Sequence, residues 1–246
     1  MDPRGKVALI TGGKRVGAAV ALALAKAGAD VALSYNRSRE EAEATAADVR
    51  ASGCRAFVYK ADLTDPAACR ELVEATAGAL GRLDILVGMS SVYARIPIEK
   101  LAPSDLQRSF DVEVKSSLSC ALAAFPLMRA AGGGRIVLVS DWLAASERPR
   151  YTGFLHYYVA KKAVTGLAEA LALELAADQI LVNAIAPGPI LPPPDLEDEE
   201  SKAVEQATPV GRWGGGDEIA KTVLALVDSD FITGETIRVD GGRHIR

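Results

Sequence analysis

The feature that most constrains this chain is an alternation. Short runs that are apolar throughout are followed, again and again, by longer segments of helical period. The runs at 6–11, 30–35, 55–60, 83–88, 135–140, 180–185 and 235–239 read as strands. The segments 16–28, 39–52, 66–80, 155–177 and 217–227 read as helices, with one longer helix from Pro103 to Ala131. Strands apolar on both sides need cover on both faces. Strand–helix alternation supplies it, with parallel strands joined by right-handed crossovers. The expected fold is α/β: a doubly wound, Rossmann-like parallel sheet of about seven strands, in one domain over residues 1–246. The stretch 187–216, which holds PGPILPPPDLEDEE and GRWGGG, is too long for an ordinary connection and reads as a substrate-covering flap.

Composition removes several classes of partner. The formal net charge of −4 gives no reason to expect nucleic acid or a membrane. Cys54, Cys69 and Cys120 are scattered, and His156 and His244 are the only histidines, so no metal site is expected. The N-terminus runs straight into a strand without a leader-like apolar stretch, and the expected location is cytoplasmic.

Between the first strand and first helix stand Thr11, Gly12, Gly13, Lys14, Arg15, Val16 and Gly17. Glycines there let the backbone approach a pyrophosphate, and a helix N-terminus offers amide donors. The same turn is also what a tight strand–helix connection needs. The second strand ends in Asn36, Arg37 and Ser38, with no carboxylate before Glu40. Guanidinium groups of Arg37 and Arg15 suit a ribose 2′-phosphate, which favours NADP over NAD. Arg37 as a solvated loop charge is the plainer alternative. Asp62, followed by Leu63, fits either an adenine contact or a helix cap.

Tyr157 and Lys161 are spaced i, i+4 near the start of a long helix, so both project from one face. A nearby ammonium favours the phenolate and makes the tyrosine a usable proton donor. Taken alone, such a pair is commonly surface decoration.

The ordered set TGGKRVG, ADL, DILVG, GRIVLVSD, YYVAK, LVNAIAPG and TGETIRVDGG resembles the short-chain dehydrogenase/reductase family along nearly the whole chain. That resemblance implies Tyr157 as proton donor to a carbonyl or imine, with Lys161 on the nicotinamide ribose. It also implies Pro187 and Gly188 beside the nicotinamide, a small-molecule substrate, and a homotetramer paired through the two longest helices. Arg15, the YNRS segment, Asp141 in place of the usual serine and the terminal Asp240-Gly241-Gly242-Arg243 are similar to pteridine reductases. In that subgroup Arg15 would reach pyrophosphate and pterin, Asp141 would aid proton delivery, and Ser90 would touch cofactor and pterin. Val92 stands where the subgroup has a stacking aromatic, and Glu113 where the family has an asparagine. Asp141 as a simple cap of the loop after the fifth strand remains the structural alternative. Three activities follow: a pterin-type reductase, a reductase of 3-oxoacyl thioesters or other carbonyls, and a non-catalytic NADP-binding protein.

Overall fold

The computed structural model describes residues 1–12, 14–193 and 196–245. Seven strands form one parallel sheet: β1 (Val7–Thr11), β2 (Asp30–Tyr35), β3 (Ala56–Lys60), β4 (Ile85–Gly88), β5 (Gly134–Val139), β6 (Ile180–Pro187) and β7 (Thr236–Val239). Their order is β3-β2-β1-β4-β5-β6-β7. Successive side chains along a strand point to opposite faces, and both faces here are apolar. Leu9, Leu86, Ile136, Leu138 and Val182 feed the core on one side. Ile10, Ile85, Val87, Val137 and Ile185 feed the core on the other.

Helices cover both faces: α1 (Lys14–Lys26), α2 (Arg39–Ala51), α3 (Pro66–Leu80), α4 (Pro103–Phe110), α5 (Ser116–Ala130), the short α6 (Trp142–Ala145), α7 (Leu155–Leu175), α8 (Asp198–Gln206) and α9 (Gly216–Asp228). Sequence cues fix several ends. Asp65 caps α3, accepting the amide of Ala67 at 2.9 Å, and Pro66 takes the first helical position. Gly81 closes the same helix in the left-handed region at φ 88°.

Three features depart from the sequence expectation. The long helix after Pro103 is interrupted by a π turn over Asp111–Lys115, which joins α4 to α5. The α6 turn was not foreseen. The 187–216 stretch carries α8, so it is less irregular than its proline content implies.

The strand order reverses direction at β1, whose two neighbours are β2 and β4. Such a reversal opens a crevice beyond the carboxyl ends of the strands, because the two following connections leave in opposite directions. Thr11 is paired with Ser34 on one side and Gly88 on the other, so the loops after β1, β2 and β4 meet at that crevice.

Candidate active site

Two cavities share this end of the sheet. The first, of about 740 Å3, runs from Gly12 and Lys14 past Asn36, Arg37 and Ser38 to Asp62, Leu63 and Ser90. Gly12 adopts φ +70°, and a Cβ there would come within 3.1 Å of the Ser90 backbone. A Cβ on Gly17 would meet the Gly12 carbonyl oxygen at 2.9 Å. Both glycines therefore keep backbone close to backbone in the wall of this groove. Thr11 lies behind this surface, buried, its hydroxyl accepting the Met89 amide at 3.3 Å. Gly13, expected in the same turn, lies outside the described residues.

At the far end of the groove, Asn36 and Arg37 are exposed. Ser38 sits at the N-cap of α2 with no side-chain capping bond. Lys14 spans the groove to Glu41 at 3.0 Å. Asp62 accepts from the Thr64 amide (3.1 Å) and hydroxyl (2.8 Å), which holds its carboxyl below the usual range. Asp65, and not Asp62, caps α3. Arg15 does not share this end with Arg37. It follows the first turn of α1 to the second cavity, where its guanidinium donates to the Pro192 carbonyl at 3.0 Å. The cations that stand with Arg37 along the groove are Lys14 and Arg108.

The second cavity, of about 610 Å3, has Asp141, Tyr157 and Lys161 in its wall together with Val16, Pro187 and Gly188. Gly188 has no room for a side chain, since a Cβ would lie 2.5 Å from that of Asp240. Tyr157 projects from α7 and donates its hydroxyl to Asp141 Oδ2 at 3.1 Å. Asp141 divides its oxygens: Oδ1 accepts the Leu143 amide at 2.8 Å, capping α6, while Oδ2 faces the tyrosine. One oxygen thus caps the helix while the other meets Tyr157. Burial is the main cause that pushes the Asp141 carboxyl above its ordinary range, partly offset by the Leu143 amide and the Lys161 ammonium. Burial first, then the charges of Asp141 and Glu113, hold the Tyr157 phenol well above its ordinary value.

Lys161 is 1% exposed. Its ammonium donates to the Val139 carbonyl at 2.8 Å and pairs with Glu113 Oε2 at 2.7 Å. Glu113 comes from the π turn and is equally buried. Its other oxygen accepts from the Ser91 hydroxyl (2.7 Å) and the Val92 amide (2.9 Å). The Lys161 ammonium lies 5.6 Å from the Tyr157 ring centroid.

By the resemblance, Val92 stands where the subgroup has its stacking aromatic. Val92 faces the dinucleotide groove, and Tyr93 provides the ring. Tyr93 stacks on Phe154 with centroids 4.7 Å apart and meets Tyr157 edge-on at 5.0 Å. The adjacent tyrosine was the available signal. Arg150 and Arg243 were missed as a pair. They lie over Trp142 at 5.3 Å and 6.0 Å and line the same cavity.

Residues 13–244 match a family described as enoyl-(acyl carrier protein) reductase. The 3-oxoacyl-[acyl-carrier-protein] reductase of Staphylococcus aureus is 32% identical over 98% of both chains. A short-chain dehydrogenase/reductase from Serratia marcescens superposes with a TM-score of 0.91 at 35% identity, covering 99% of this chain and 100% of that one. A metagenomic blue fluorescent protein solved in complex with NADPH superposes with a TM-score of 0.89 at 32% identity, over 99% of each chain. A seven-stranded parallel sheet, a glycine-lined groove at its reversal point and a buried Tyr157–Lys161 face agree with that likeness along nearly the whole chain: it is an oxidoreductase of the short-chain dehydrogenase/reductase family.

Proposed function

We propose that this enzyme is an NADPH-dependent reductase of a planar, nitrogen-rich ring substrate of the dihydropterin type. The observation that carries the reading is the Tyr157–Asp141 hydrogen bond at 3.1 Å, inside a cavity walled by Tyr93, Trp142, Tyr151, Phe154 and Trp213. The nucleotide fits the residues present: the Gly12–Ser90 approach admits a thin backbone-bound group, and Lys14, Arg37 and Ser38 suit a 2′-phosphate. The NADPH complex of the metagenomic relative supports the same cofactor. When bound, that cofactor supplies hydride.

The chain's own residues handle the proton. Tyr157 releases its hydroxyl proton to the substrate atom that becomes negative. A carboxyl held toward its neutral form by burial can then return a proton to the tyrosine oxygen, or hold one for a ring nitrogen. A ketone needs only the first transfer, and a serine would serve it as well. Flat aromatic walls also favour a flat ring over an aliphatic chain. Leu191, Pro193 and Leu196, which border the cavity, let the 187–216 stretch act as its cover. Exposed Leu122 on α5 and Leu173 on α7 support pairing with further copies of the chain through those helices.

The similarity to the staphylococcal enzyme favours a second reading, reduction of a 3-oxoacyl thioester. A side-by-side assay with NADPH separates the two: dihydrobiopterin and dihydrofolate against an acetoacetyl thioester. Pterin turnover that is lost selectively in Asp141→Ser is expected. Turnover of the thioester, with none for either pterin, would establish the second reading instead.

A further inference from the structure

Among the described residues, Glu113 is a buried carboxylate in direct contact with Lys161 that the proton path above does not use. Its position is built, not incidental. It sits on a π turn, a local widening that often marks a functional position. It is 2% exposed, and both oxygens are engaged, one by Ser91 and Val92 and the other by Lys161. A buried ion pair of this kind is retained at a desolvation cost, so a pair placed against Tyr157 invites a reason beyond stability.

The reason lies in what Lys161 does to its neighbour. An ammonium close to a phenol makes it a stronger acid, but an unmatched one also lowers the fraction that still carries the proton to be delivered. Here the ammonium is 5.6 Å from the Tyr157 ring and is matched by a carboxylate at 2.7 Å. The charged and titratable groups facing Tyr157 come from four elements: Lys161 on its own helix, Asp141 before α6, Glu113 on the π turn and Tyr93 after β4. Asp141 and Glu113 both oppose ionisation of the phenol.

We propose that Glu113 is a positioning residue for reduction: its carboxylate fixes the Lys161 ammonium and offsets its charge, so that Tyr157 is kept loaded with the proton it must deliver. This rests on the reading of Tyr157 as the acid. The loop bonds add a second consequence. Because Glu113 also holds Ser91 and Val92, which line the dinucleotide groove, the position of the ammonium is tied to the groove wall.

The test replaces the charge and keeps the shape: Glu113→Gln, with Tyr157→Phe as the spectroscopic blank. Ultraviolet difference titration of the phenolate, referenced to Tyr157→Phe, should show Tyr157 ionising at least about one pH unit lower in Glu113→Gln, a tenfold change in the ionised fraction. The alkaline limb of NADPH-dependent reduction should move down with it. The double variant Glu113→Gln/Lys161→Met, which buries no unpaired charge, should titrate close to wild type, and it serves if the single variant does not fold. Unmoved titration in Glu113→Gln, or a double variant displaced far from wild type, would overturn the proposal. Because the titration needs no substrate, its result stands apart from whether pterins turn over.

Discussion

At the residue scale, two adjacent tyrosines compete for one role. Tyr157 and Tyr158 both border the catalytic cavity, yet only Tyr157 meets Asp141 and lies one helical turn before Lys161. Tyr157→Phe is expected to lower turnover by at least about two orders of magnitude, the scale of a positioned general acid, with NADPH affinity unchanged. Tyr158→Phe should stay near wild type. An inactive Tyr158→Phe beside an active Tyr157→Phe would reverse the assignment. The i, i+4 spacing made the Tyr157–Lys161 face legible from sequence alone. The partners of that face were not legible in the same way, because Asp141 and Glu113 reach it from distant segments whose meeting depends on the sheet. Asp141 was placed there through family resemblance. Nothing local in DVEVKSS says that Glu113 turns inward to an ammonium.

At the scale of elements, strands and long helices were readable because apolar periodicity and glycine or proline punctuation agree there. The π turn was not, since its extra residue per turn changes no composition. Helix α8 was hidden because its prolines precede it and its own surface is acidic and solvated. The end of β2 carries a prediction of its own. Arg37 is exposed at the rim of the groove, with Ser38 at the N-cap of α2. Arg37→Ala should weaken NADPH binding by roughly tenfold or more, the loss of a charge-assisted bond to phosphate, while NADH binding changes little. Fluorescence titration of both nucleotides checks this, and equal affinity of the wild type for the two would remove the basis for it.

At the scale of the whole molecule, the reversal of strand order brings separate sequence segments to one edge. Segments after β1, β2, β3 and β4 line the first groove, and the start of α1 with the segments after β4, β5 and β6 lines the second cavity. Between their linings runs a bond that sequence could not announce, from the Arg15 guanidinium at the start of α1 to the Pro192 carbonyl at 3.0 Å. One end belongs to the nucleotide loop and the other to the segment over the catalytic cavity.

That bond has a consequence in time. A cover fastened to the nucleotide's own loop makes the two reactants queue: the nucleotide has to settle beneath it before the second reactant finds a finished wall. Initial-rate patterns should therefore be those of compulsory order, with NADP+ competing against NADPH and against nothing else. Arg15→Ala should let the order lapse toward random, visible as a second competitive pattern when the reduced product is the inhibitor. A wild type that already binds its reactants in either order would mean that the fastening does not set the sequence of arrival.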